Sequence, residues 1–85
     1  MANIRYSLAI SEEALQQLRA LPRESRRRIG ARLNELQTNL AGDVKKLAAA
    51  EKKYRLRAGN YRILFRLEGN QISVYAVRDR KDAYE

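Results

Sequence analysis

KKYRLRAGNYRILFRLEGNQISVYAVRDRKDAY, residues 52–84, decides the fold. Tyr54 and Leu56 alternate with Lys53, Arg55 and Arg57. Tyr61, Ile63, Phe65 and Leu67 alternate with Arg62, Leu64 and Arg66, and Ile72, Val74 and Ala76 with Ser73, Tyr75 and Val77. A period of two sends successive side chains to opposite faces of a strand, so each run has one apolar and one polar face. Gly59-Asn60 and Gly69-Asn70 separate the runs, and such pairs supply the positive φ of a tight hairpin. The stretch therefore predicts antiparallel strands with Tyr54, Leu56, Ile63, Phe65 and Val74 on a buried face. Lys53, Arg55, Arg57, Arg62 and Arg66 fall on the open face.

Working outward, residues 4–10 (IRYSLAI) alternate in the same way and predict a half-buried first strand. Ser11 offers an N-cap, and Glu12 and Glu13 place negative charge where a helix N-terminus favours it. Ala14, Leu15, Leu18 and Leu21 continue a helical stripe up to Pro22, the single proline. A second helix is predicted from Pro22 to about Leu40 on the spacing of Ile29, Leu33, Leu36 and Leu40, ending near Gly42. Two helices joined so closely should form an antiparallel hairpin. The expected order is β-α-α-β-β-β: an α+β fold with a helical hairpin on a small, mainly antiparallel four-stranded sheet.

The chain has 85 residues and a formal charge of +8. This length makes one domain with a modest core. Residues 1–43 carry seven Lys/Arg against five acids, and residues 44–85 eleven against five. The basic excess sits mostly on the C-terminal half and suggests nucleic acid, an acidic protein or an anionic surface as partner. No apolar run approaches a membrane span and no signal-peptide pattern opens the chain, so a cytoplasmic protein with no membrane partner is expected. The sequence has no His and no Cys. That excludes an ordinary zinc site, a thiolate nucleophile and an imidazole base, and leaves Arg, Lys, Tyr, Ser and carboxylates for any chemistry.

Cations facing one another across strands destabilise a sheet. Bound phosphate is the simplest compensation, and arginine suits it because its planar guanidinium donates two parallel hydrogen bonds and stays charged. The alternative is a face solvated with counterions. Lys52 and Lys53 adjoin the set, and a lysine crowded by cations can act as a base, although an exposed charge is the plainer reading. The tail Arg78-Asp79-Arg80-Lys81-Asp82-Ala83-Tyr84 offers an aromatic that can stack on a base, or a frayed terminus. Arg23, Arg26, Arg27, Arg28 and Arg32 ring the start of the second helix, with Glu24 and Glu35 at helical spacing. They read as a solvated face or as a secondary contact with RNA or an acidic partner.

YRLRAGNYRILF at 54–65, the strand after it and the closing RDRKDAY at 78–84 resemble the RelE/ParE superfamily of toxins from type II toxin–antitoxin modules. Leu18, Pro22 and Lys45-Lys46-Leu47 fit the same pattern, so the resemblance covers nearly the whole chain as a single domain. RelE-type members are ribosome-dependent endoribonucleases that cut mRNA in the A site, whereas ParE-type members inhibit DNA gyrase without catalysis. The RelE-type resemblance implies catalytic roles for Lys53, Arg55, Arg62, Arg80 and Tyr84. RNA contacts are expected from Lys52, Arg57, Arg66, Arg78 and Lys81. It implies attack by the 2′-hydroxyl on the adjacent phosphate, no cofactor or metal, and a hetero-oligomer with a cognate antitoxin offering an acidic amphipathic segment. Two positions depart from the pattern. Asp79 stands where many relatives carry His, and Arg55 where the best-known pattern has lysine, which moves the base role towards Lys52 or Lys53.

Overall fold

The structure, a computed structural model, describes residues 4–48 and 50–79. Its elements in order are β1 (Ser7–Ile10), α1 (Glu12–Arg19), α2 (Arg23–Leu36), β2 (Asp43–Ala48), β3 (Lys53–Ala58), β4 (Tyr61–Glu68) and β5 (Gln71–Asp79). The α+β class and the helical hairpin are as the sequence predicts. The sheet, however, has five strands rather than four, in the order β1-β5-β4-β3-β2. β1 runs parallel to β5, and every other pairing is antiparallel.

The additional strand, β2, lies on the edge beside β3, with Val44 opposite Leu56 and Lys45 opposite Arg55. Val44 is its one side chain packed on the core; Leu47 stays 41% exposed. The strand therefore lacks the apolar alternation that marks its neighbours and is held chiefly by backbone pairing. Lysines on an exposed edge also discourage pairing with another chain.

Each helix begins and ends for a local reason. The Ser11 hydroxyl accepts a hydrogen bond from the Ala14 amide at 3.1 Å and caps α1. Pro22, extended at φ −58 and ψ 150, starts α2, where its missing N–H costs nothing. α2 stops at Leu36, short of the expected Leu40, because the chain turns into the left-handed region at Asn39 (φ 60) and Leu40 (φ 54). The residues freed from the helix tie down the N-terminal segment instead. The Tyr6 amide donates to the Gln37 carbonyl at 2.8 Å, and Ile4 and Asn39 exchange bonds at 2.7 and 2.8 Å. Arg5 bridges Thr38, so residues 4–6 leave the sheet and β1 is shorter than the alternation from Ile4 implies.

Ala14 of α1 and Ile29, Leu33 and Leu36 of α2 bury against Leu56, Ala58, Ile63, Phe65, Ile72, Val74 and Val77 of the sheet. Tyr54 and Phe65 stack at 5.6 Å between centroids, on the same helix-covered face. The Gln17 side chain accepts from the Val77 amide at 2.7 Å and fixes α1 to β5. Gly59 and Gly69, both at φ 63, open the two hairpin turns. β5 carries a bulge: Leu64 pairs with Ala76 and the next residue, Phe65, with Val74, leaving Tyr75 as the extra residue. The bulge reverses the alternation beyond it. Val77 packs in the core while Ala76 lies opposite Leu64, the reverse of what strict period two predicts for these residues.

Candidate nucleic-acid interface

The face of the sheet away from the helices is a grid of three rows. Asp43, Arg57, Arg62 and Arg78 stand opposite one another across β2, β3, β4 and β5. Lys45, Arg55, Leu64 and Ala76 form the next row, and Lys53, Arg66 and Ser73 the third. Neighbouring strands lie only about 4.8 Å apart, so Arg57, Arg62 and Arg78 bring three guanidinium groups into one row. Arg78 reaches this face because of the bulge at Tyr75; unbroken alternation from Val74 would turn it towards the helices.

Arg55 lies at the centre of the grid and is 8% exposed. Its Nη1 is buried and has no hydrogen-bond partner among the described residues, and its Nη2 is 3.8 Å from Asp43 Oδ1. The other Asp43 oxygen lies 3.8 Å from Arg57 Nε, so one carboxylate at the edge is shared, at long range, by two guanidinium groups. A buried guanidinium with an unmet donor is costly unless an anion completes it. Lys53 Nζ pairs with Glu51 Oε1 at 2.9 Å. The hydrogen bond and the charge of Lys53 hold the Glu51 carboxyl below the ordinary carboxylate range, with a smaller contribution from Arg66, against the opposing effect of burial.

Tyr75 projects onto the same face at the bulge. The Arg66 guanidinium lies 5.1 Å from its ring centroid and Lys53 Nζ 5.9 Å, so the aromatic gathers two cations at one end of the grid. At the other end, Arg57, Gly59, Asn60, Tyr61 and Arg62 line a cavity of about 130 Å³ around the β3–β4 turn. Among the described residues no grouping of acidic side chains could hold a metal ion, and no helix is long and apolar enough to cross a membrane.

The structure thus brings Lys53, Arg55, Arg57, Arg62, Arg66 and Arg78 onto one surface. Lys52 sits in the turn entering β3 at φ 54, its carbonyl accepting from the Leu67 amide at 3.1 Å. Arg80, Lys81 and Tyr84 lie outside the described residues. Leu64 and Tyr75, which the alternation already sets on the side of the arginines, also belong to the surface, as do the carboxylates of Asp43 and Glu51, which the sequence reading does not place there. Asp43 and Glu51 sit on or beside the strand that lacks alternation, so no local pattern signals them.

The fold is shared with chains of solved toxin–antitoxin complexes. The chain is similar to one in the RelB–RelE antitoxin–toxin complex from Methanococcus jannaschii, at 31% identity and TM-score 0.75, over 89% of this chain and 94% of that one. It shares its fold with a chain of the archaeal RelE–RelB complex from Pyrococcus horikoshii, at 24% identity and TM-score 0.81, over 93% and 99%. It also shares it with a chain of the YoeB–YefM complex from Staphylococcus aureus, at 18% identity and TM-score 0.68, over 87% and 95%. No curated protein sequence matches it significantly. Residues 8–84 match the family described as the ParE toxin of the type II toxin–antitoxin system parDE. The chain belongs to this toxin family, within the RelE/ParE superfamily.

Proposed function

We propose that this toxin is a ribosome-dependent endoribonuclease that cuts mRNA in the A site and so arrests translation. The observation that carries the reading is Arg55: a guanidinium removed from water, with an unmet donor, in the middle of a cationic sheet face. A phosphodiester completes that donor and offsets the repulsion along the Arg57–Arg62–Arg78 row. The 31% likeness to a chain of a RelE complex supports the same reading.

In the proposed reaction the 2′ oxygen forms a bond to phosphorus while the bond to the 5′ oxygen breaks. The products are a 2′,3′-cyclic phosphate and a free 5′-hydroxyl. Arg55 and Arg62 stabilise the extra negative charge on the pentacoordinate phosphorus, a contribution made in the transition state. Lys53, ion-paired with Glu51, contributes a further cation; the 2′ proton passes to Lys53 or Lys52 acting as the free amine, and the departing 5′ oxygen takes up a proton in its place. Arg80 and Tyr84 are assigned to the leaving oxygen and to base stacking on the strength of the resemblance. A site that works by positioning and charge, without an imidazole, gains from a ribosome that presents the message in a fixed shape.

The toxin is proposed to assemble with an antitoxin whose acidic amphipathic segment neutralises it. An apolar groove of about 440 Å³ between β1 and the helices, lined by Leu8, Ile10, Leu18 and Ile29 with Arg19 and Arg26 among its walls, suits the apolar side of such a segment.

The test is primer extension on mRNA bound to purified ribosomes, with a ribosome-free control. Cuts inside the A-site codon only with ribosomes, abolished by Arg62→Ala with folding retained, are the expected result. No cuts by a protein that still arrests growth would overturn it and favour gyrase inhibition, the reading suggested by the family's ParE name. No cuts and no growth arrest would leave a plain RNA-binding module.

A further inference from the structure

The second basic surface lies away from the sheet. α2 carries five arginines, Arg23, Arg26, Arg27, Arg28 and Arg32, against Glu24 and Glu35. Arg27, Arg28, Ala31 and Arg32, with Glu24 at the rim, line a shallow recess of about 420 Å³ on the outer side of the helix. Arg32 pairs with Glu35 at 3.1 Å; Arg27 and Arg28 have no ion-pair partner among the described residues. Arg28 and Arg32 stand four residues apart, like charges that weaken a helix surface when nothing binds them.

This recess is continuous with the sheet face. The Arg28 side chain lies against the β3–β4 turn: a Cβ placed on Gly59 would meet its Nη1 at 3.0 Å and its Cδ at 3.3 Å. The same turn, with Arg57 and Arg62, forms the cavity at the end of the cationic grid. The Ser25 hydroxyl bonds the Tyr61 hydroxyl at 3.5 Å, fastening α2 to the start of β4. Cations therefore run from the outer face of α2, over the hairpin turn, onto the sheet. Ala31 is the one apolar side chain lining the recess, whereas the core of a protein–protein patch is apolar. The apolar groove of this molecule is lined by a different set of residues. Exposed guanidinium groups without an apolar anchor match a solvated phosphate backbone.

We propose that the outer face of α2 is a second RNA-binding surface, gripping the phosphate backbone of ribosomal RNA while the sheet holds the message. It rests on the proposed ribosome-directed function, and it separates holding the ribosome from cutting the message. Arg27 and Arg32 are the residues to change, since neither has a role in the sheet site.

The experiment is cosedimentation of the full chain with purified ribosomes over a range of KCl, beside the cleavage assay. Arg27→Gln/Arg32→Gln should keep the wild-type Tm and bind ribosomes about tenfold more weakly near 0.1 M salt. Its slope of log affinity against log salt should be shallower by one to two, about 0.7 to 0.9 for each phosphate no longer neutralised. KM for ribosome-bound message should rise by the same factor while kcat at saturating ribosomes stays constant, and Arg27→Lys/Arg32→Lys should restore most of the slope. An unchanged slope and KM would make the surface a solvated face and overturn the proposal. So would wild-type protein that does not sediment with ribosomes, or a double variant that loses affinity for a poly-glutamate probe but not for ribosomes. If the double variant shows the predicted loss of slope and affinity yet the wild type cuts nothing, the nuclease reading falls and the α2 surface stands.

Discussion

On the proposed reading, Arg55 sets stability against activity at a single residue. A buried charge with an unmet donor contributes little to folding, and an apolar side chain of similar length removes the desolvation penalty. Arg55→Met should therefore retain or raise Tm while lowering ribosome-dependent cleavage at least about 100-fold, the scale of losing one donor to a developing oxyanion. Thermal unfolding and primer extension on the same preparation check both halves. The Glu51–Lys53 pair makes a second prediction. Lys53 holds the Glu51 carboxyl below the ordinary range, so the stabilisation from the pair is present at neutral pH. It disappears as pH falls through that lowered value. An NMR titration of the Glu51 side chain should show the low value in the wild type and a return towards the ordinary carboxylate range in Lys53→Met.

At the scale of the element, what stabilises a helix here need not touch the site. Ser11→Ala removes the bond to the Ala14 amide and should cost about 1 kcal/mol in chemical denaturation with cleavage unchanged. The elements differ in how openly the sequence declares them. β3, β4 and the first half of β5 are legible because alternation and Gly-Asn turns agree on their register. The same agreement places Lys53, Arg55, Arg57, Arg62 and Arg66 on one face. β2 is not legible: a strand that packs only a half-buried Val44 on the core and pairs through its backbone has no side-chain signature. The end of α2 is misleading because Leu40 keeps helical spacing and still packs on the core, but from a left-handed turn. The far half of β5 departs from its apparent phase because one inserted residue, Tyr75, inverts every position after it. Long-range pairing and bulges are settled by neighbours in space, which a local pattern does not record.

At the scale of the molecule, a chain with charge +8 rests on a small core. Phe65, fully buried and stacked on Tyr54, lies at its centre. Phe65→Ala should cost about 3–5 kcal/mol, a large share of the roughly 5–15 kcal/mol that holds a domain folded, and calorimetry should show the variant largely unfolded at 37 °C. The sheet that carries the site is closed by its most distant pair in sequence, with Ser7 beside Gln71 and Ile10 beside Val74. Contacts of such separation are slow to form and wait for the later segment to be made. During synthesis β1 therefore emerges without the strand it needs, and the cationic grid cannot assemble around Arg55 until β5 has left the machine producing it. On the proposed reading, the product becomes able to attack a ribosome only once β5 has emerged. That delay is also an interval in which a partner already present can meet the chain before its weapon exists.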